Sequence, residues 1–290
     1  DAQGGGNDIL YAIDFNGMGG AMLTELAQLG GGSHLGVGAD GLLYIVRHGS
    51  GMMTVWNPST LMVEYEVQIT FEGDNVTGIP AVVVGDDGFV YVGANNDVIY
   101  KVNPVSGEAE VEGEANVAGG DLVFAGGALW LANRNNGTFY EVGGEGEFTV
   151  AAEEINGVAI LPDGNLLISN GNLNGLFEVY EPITGIATGE TFETGLELFN
   201  GDLASRCFDG QTGQDCENFS IFISANASEG GDVYRVTLNE GSADLELLLE
   251  DLGDPHLAFD SNLGLLYIVK GSGEVAIYDP AINFLSTFSN

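Results

Sequence analysis

Gly85-Asp86-Asp87-Gly88-Phe89-Val90-Tyr91-Val92-Gly93-Ala94 reads as a tight turn followed by a short apolar strand, and the chain repeats it. Copies stand at Ala39-Asp40-Gly41-Leu42-Leu43-Tyr44-Ile45-Val46, Pro162-Asp163-Gly164-Asn165-Leu166-Leu167-Ile168-Ser169 and Asn262-Leu263-Gly264-Leu265-Leu266-Tyr267-Ile268-Val269. An apolar strand also precedes each turn, as in Leu35-Gly36-Val37 and Ala81-Val82-Val83-Val84. Each copy therefore opens as a β-hairpin closed by Asp-Gly or a relative.

Two further strands follow each hairpin, which makes a unit of four, A to D. The expected units cover about 34–70, 80–114, 121–152, 157–193, 202–250 and 256–290, with almost no helical periodicity. Six such units at this spacing predict an all-β chain and a β-propeller, read as a single domain over residues 1–290. An open solenoid is the structural rival. Against it, A strands such as Leu35-Gly36-Val37 and Leu203-Ala204-Ser205 are small and apolar, as close approach at a propeller axis requires. The repeats resemble the propeller superfamily that includes the NHL and YVTN types, in which an Asp-Gly turn and an apolar strand open each blade. That resemblance implies a scaffold and no particular activity.

Residues 8–28 supply one more strand pair, Ile9–Ile13 and Ala21–Leu26, that matches the second half of a unit. The ring is then six- or seven-bladed, with an N-terminal half-blade. An incomplete blade exposes a sheet edge, and such edges recruit strands from other chains. Strand complementation with other copies of itself or with a surface protein is one expectation; a pair packed on the outside is the other.

Asp and Glu number 43 against 6 Lys plus Arg, a formal charge of -37. A polyanion of that size repels nucleic acid and anionic membranes. No run of about 18 apolar residues exists to span a bilayer. The acidity reads either as a solvated coat or as calcium binding. Asp14 with Asn16, and Asp209, Asp215 and Glu217, offer clustered oxygens for Ca2+, although neither stretch matches an EF-hand loop and turn chemistry is the alternative. Cys207 and Cys216 flank a polar loop, and a local disulfide there implies an oxidising compartment. Four sequons (Asn75, Asn136, Asn218, Asn226) and a start without an apolar leader fit a secreted or cell-surface protein.

In a four-stranded antiparallel blade the start of A and the end of B are neighbours. The scarce residues concentrate there: His34 with Arg47 and His48, Asp121 with Arg134, Asp202, and His256 with Lys270. Asn95, Asn96, Asn133 and Asn170 fill the corresponding places elsewhere. A propeller binds at its channel mouth, so these residues form the candidate site, suited to an acidic polysaccharide. Ordinary salt bridges and turn-forming asparagines are the bland alternative. No nucleophile elbow, His-Glu-x-x-His or phosphate loop is present. The sequence therefore favours a non-catalytic protein acting in adhesion, carbohydrate binding or self-assembly into a surface filament. A secreted lyase or hydrolase of acidic polysaccharide is the alternative.

Overall fold

The computed structural model describes residues 9–15, 21–28, 33–57, 60, 62–115, 120–133, 135–150, 155–170, 175–194, 203–207, 219–225, 232–249, 256–260, 265–269, 275–279 and 284–288. All regular structure among them is β. A hairpin of β1 (Ile9–Phe15) and β2 (Ala21–Gln28) comes first. The first four-stranded sheet is β3 (Ser33–Val37), β4 (Leu43–Arg47), β5 (Met52–Asn57) and β6 (Met62–Gln68). A small hairpin, β7 (Thr70–Phe71) and β8 (Asp74–Asn75), leads to β9 (Ala81–Val84), β10 (Val90–Ala94), β11 (Val98–Val102) and β12 (Ala109–Glu114). Next come β13 (Gly120–Ala125), β14 (Ala128–Asn133), β15 (Thr138–Glu141) and β16 (Glu147–Thr149). Then follow β17 (Ile155–Ile160), β18 (Leu166–Asn170), β19 (Leu176–Glu181) and β20 (Ile186–Glu193). Two more sets complete the order: β21 (Leu203–Cys207), β22 (Phe219–Ala225), β23 (Asp232–Asn239) and β24 (Ser242–Leu249), then β25 (His256–Asp260), β26 (Leu265–Val269), β27 (Val275–Asp279) and β28 (Phe284–Phe288).

Each set of four is an antiparallel meander in sequence order, and the outer strands β20 and β24 touch at the single bridge Glu193 to Ser242. The Asp-Gly turns close their hairpins through three-residue loops. Gly41 N donates to Gly38 O at 2.9 Å, Gly88 N to Gly85 O at 2.9 Å, and Gly164 N to Leu161 O at 2.9 Å. The glycine takes φ of 77°, 79° and 88° in turn, a left-handed conformation that lets the strands re-pair across a bulge. The aspartate before it accepts the amide two residues on: Leu42 N at 3.0 Å, Phe89 N at 3.2 Å and Asn165 N at 3.0 Å. Its other oxygen takes a side chain, Tyr44 OH at 2.7 Å, Tyr91 OH at 2.9 Å or Asn165 Nδ2 at 2.8 Å. One residue type thus fixes the turn and anchors it to the strand that follows.

Packing divides the chain into two compact units, residues 1–122 with 142–144, and 123–141 with 145–290. In the first, Tyr44, Val46, Met53 and Val55 of one sheet pack against Val90, Val92, Ala94 and Tyr100 of the next. The second unit has two such cores. One joins Trp130, Ala132 and Phe139 to Leu166, Ile168 and Tyr180; the other joins Leu167, Phe177 and Val179 to Ile221, Ile223 and Val236. Consecutive residues of one strand, Leu166 and Leu167, thus enter different cores, because the sheet is covered on both faces. That is why the B strands β4 and β10 read as unbroken apolar runs.

The A strands approach closely, as their small residues anticipate. A Cβ on Gly36 of β3 would lie 2.9 Å from Val84 Cγ2 of β9, and one on Gly157 of β17 would lie 2.8 Å from Leu203 N of β21. Four-stranded antiparallel sheets stacked face to face, with their A strands in contact, are propeller-like architecture.

Candidate functional site

The hairpin register delivers the adjacency expected at the first A and B strands. Ser33 on β3 lies opposite Arg47 on β4, and His34 opposite Val46. The rings of His34 and His48 come within 6.2 Å, tilted by 55°. The His48 carbonyl accepts Gly78 N at 2.7 Å and Ile79 N at 3.2 Å, which ties the end of β4 to the segment entering β9. Gly51 closes the same corner: its amide donates to Arg47 O at 2.8 Å and its carbonyl accepts Ile69 N at 3.1 Å.

Arg47 reaches sideways across its own sheet. Its guanidinium donates from one terminal nitrogen to Glu66 Oε1 on β6 at 2.8 Å, and the same oxygen accepts Thr54 Oγ1 from β5 at 2.9 Å. Thr54 is fully buried, so this three-strand bridge sits partly out of water. Two atoms on consecutive residues are nevertheless left over. Arg47 Nε and His48 Nδ1 are both buried, and among the described residues neither meets a hydrogen-bond partner. Buried polar groups are almost always paired, so these two atoms, like Trp56 Nε1 and Ser169 Oγ elsewhere, call for a partner such as water.

Other candidates divide in three. Asp121 is half-buried on β13, in the same compact unit as His34 and His48. His256 opens β25 opposite Val269, next in sequence to Lys270. Arg134, Asp202 and Lys270 lie outside the described residues, as do Asn16, Asp209, Asp215, Glu217 and Cys216. Of the proposed calcium and disulfide positions, Asp14 lies opposite Met22 in the first hairpin and Cys207 opposite Phe219 at the end of β21. Among the described residues no three or more His, Cys, Asp and Glu gather as metal ligands.

The asparagines at the B strand ends work as turn residues. Asn96 Nδ2 donates to Tyr100 OH at 3.0 Å, Asn133 Oδ1 accepts Asn135 N at 3.0 Å, and Asn95 N donates to Gly78 O at 2.8 Å. Of the sequons, Asn75 is exposed on β8, while Asn136 accepts Thr138 N at 3.0 Å inside its turn.

At the opposite turns, the sequence reading passed over a cluster. Lys101 Nζ lies 2.8 Å from Asp87 Oδ2, the oxygen that also accepts Tyr91 OH, and sits 4.5 Å from the centroid of the Phe89 ring. The lysine pKa is raised, chiefly by its hydrogen bond to Asp87. Burial pushes the Tyr44 and Tyr91 hydroxyl pKa values up, and Asp40 and Asp87 beside them add to the shift. The repeated spacing Asp-Gly-x-x-Tyr is the signal that would have found this lock. In the second unit, a cavity of about 440 Å³ lies between Leu161, Pro162 and Asp163 on one side and Ile221 and Arg235–Leu238 on the other. Arg235 there pairs with Glu246 at 3.2 Å.

No family model matches the chain, and no curated protein matches it. Solved structures do. Hydrazine synthase of Kuenenia stuttgartiensis is 18% identical with a TM-score of 0.63, over 92% of this chain and 80% of that one. Virginiamycin B lyase of Staphylococcus aureus is 12% identical with a TM-score of 0.66, over 93% and 87%. The extracellular domain of a protein described as a one-component system from B. thetaiotaomicron is 14% identical with a TM-score of 0.58, over 98% of this chain but 40% of that one. These neighbours are propeller-like, and at such identities the likeness is one of fold.

Proposed function

We propose that the chain is an extracellular binding module, without chemistry of its own, that takes an acidic ligand where β3 begins and β4 ends. The ligand class is a uronic or sulfated sugar. The observation that carries this reading is the pair of buried nitrogens without a partner among the described residues, Arg47 Nε and His48 Nδ1, beside the His34 ring; both donate to an anion when His48 carries its proton on Nδ1. Cationic side chains are scarce here, 6 Lys plus Arg and 3 His in 290 residues, so two histidines and an arginine at one corner are a local exception to the acidic surface. An anionic group seated there pairs charge and fills orphaned hydrogen bonds at once. The likeness to an extracellular domain supports the compartment.

Titration calorimetry with a panel of neutral, uronic and sulfated oligosaccharides tests it. Acidic members bind and neutral ones do not, and His48→Ala weakens the acidic ones by about tenfold, the loss of roughly one good hydrogen bond. If wild-type protein binds no acidic sugar, the reading is wrong.

A second reading has one supporting observation, that one of the solved structures of like fold is a lyase. In it the same corner cleaves an acidic polysaccharide, with His34 and His48 as proton carriers. Prolonged incubation would then release new chain ends, and His34→Ala would stop it. Binding without release of ends removes this alternative.

A further inference from the structure

The first strand of the N-terminal hairpin resembles the third strand of the second sheet. Asn7-Asp8-Ile9-Leu10-Tyr11-Ala12-Ile13-Asp14 aligns with Asn96-Asp97-Val98-Ile99-Tyr100-Lys101-Val102-Asn103 without a gap. Registers agree as well. Leu10 pairs with Ala27 and Tyr11 with Glu25, so the partner strand slips by one residue between them. Ile99 pairs with Gly113 and Tyr100 with Val111, the same slip between the same two positions. Bulges in a defined register are designed features of a sheet. By this measure β1 is a C strand and β2 a D strand.

Every other C strand is flanked on both edges. β11 is bonded to β12 on one side and to β10 on the other, where Val98 faces Ala94 and Val102 faces Val90. β5, β15, β19, β23 and β27 are likewise interior. β1 and β2 form a sheet of two, and among the described residues no strand lies on the other edge of β1. Residues Ile9–Ile13 of β1 carry no charge and Asp14 follows near the strand's end; of the outer strands of the other sheets, β6, β12 and β24 carry Glu64 and Glu66, Glu110, Glu112 and Glu114, or Asp244 and Glu246, while β28 carries none. Charges on an edge strand deter pairing, and an uncharged edge invites it.

We propose that the open edge of β1 is a docking site for an Asp-Gly β-hairpin supplied by another polypeptide, whose B-type strand pairs antiparallel with Ile9–Ile13 and completes a four-stranded sheet. A second copy of this chain is the weaker occupant on two counts. Among the described residues, the six A–B hairpins are already built into their own sheets. Two molecules of charge -37 also repel. The same charge selects a partner whose hairpin is flanked by basic residues. Backbone pairing supplies affinity, and small or β-branched residues on alternate positions fit the pleat. The inference is independent of the acidic-sugar site.

The probe is a synthetic peptide of the chain's own second A–B hairpin, residues 80–96, with two lysines added at each end. Titrated into the full chain, it binds one to one with micromolar affinity, and amides of Ile9–Phe15 that face the open edge exchange about tenfold more slowly or better. A scrambled peptide does neither, and residues 29–290 alone do not bind. Ala12→Pro and Ile13→Pro guard against a misfolded truncation, because consecutive amides in a strand point to opposite edges. One of the two abolishes binding while the amides bonded to β2 stay protected. Absence of saturable binding at about 1 mM peptide, equal binding by residues 29–290, or a free chain that is already dimeric with β1 protected would each overturn the proposal.

Discussion

Asp87 accepts Phe89 N at 3.2 Å, Tyr91 OH at 2.9 Å and Lys101 Nζ at 2.8 Å. Burial alone would raise its pKa, but the hydrogen bonds from Lys101, Tyr91 and Phe89, with the lysine's charge, hold it below the usual carboxylate value. A pKa depressed by folding contributes stability above the unfolded value and loses it as pH falls through the folded one. The stability gap between wild type and Asp87→Asn should therefore be about 0.5–1 kcal/mol at neutral pH, discounted for a surface pair, and close as pH falls below the ordinary aspartate range. Urea unfolding at a series of pH values measures it; a gap that persists in acid contradicts the assignment. The aspartate's place in the turn was legible in the Asp-Gly pairs. Its tyrosine was legible only in the repeated Asp-Gly-x-x-Tyr spacing, which turn chemistry by itself does not single out.

Gly51 offers a sharper test of backbone. Its φ is 66°, and a Cβ there would collide with the Val76 carbonyl oxygen. Gly73, at φ 92° in the turn of the β7–β8 hairpin, has open space around it. Gly51→Ala should cost about 2–4 kcal/mol and Gly73→Ala about 1 kcal/mol, read from denaturant midpoints. Equal losses would mean that the corner beside His48 is looser than described.

At the scale of elements, the D strands lie at the sheet edges, and acidic residues guard β6 and β12, whereas β20 meets β24 at one bridge and β28 carries no acid. On β12, Glu110 and Glu114 are exposed while Ala109, Glu112 and Gly113 are partly covered. Replacing both exposed glutamates with threonine should leave the unfolding midpoint within a few degrees and promote aggregation on concentration, seen by light scattering. A double variant as soluble as wild type would show that the edge needs no such guard. Strand types were readable because burial on both faces leaves continuous apolar runs, as in Val90–Ala94, while D strands such as Met62–Gln68 and Ala109–Glu114 alternate with glutamate. The β7–β8 hairpin was missed. Its two-residue strands show no periodicity, and only the Glu72-Gly73 pair signalled a turn. In the candidate site, the nearness of His34 to His48 followed from hairpin register alone. The reach of Arg47 to Glu66 did not, since it crosses a strand that intervenes both in space and in sequence.

For the molecule as a whole, -37 charges on 290 residues make self-repulsion a global term. Lowering the Debye length from about 30 Å at 0.01 M salt to about 3 Å at 1 M removes most of it. The thermal midpoint should rise by about 5 °C or more across that range, most of it below about 0.2 M. A flat or falling midpoint would mean that specific ion pairs outweigh the collective repulsion. Composition made this legible, whereas the ligand is a matter of a few side chains at one corner that composition does not resolve.

The central structural claim is that one Asp-Gly hairpin unit, extended to four strands, builds the chain, and that residues 9–28 are the outer half of such a unit. Residue-resolved amide exchange on the free monomer tests it most directly. The amides of β11, bonded on both edges, should all exchange slowly, and those of β1 should alternate between slow and fast, one edge bonded and one open. Uniform protection along β1 would mean that its second edge is already occupied, and uniform exposure that the hairpin does not form; either result contradicts the account.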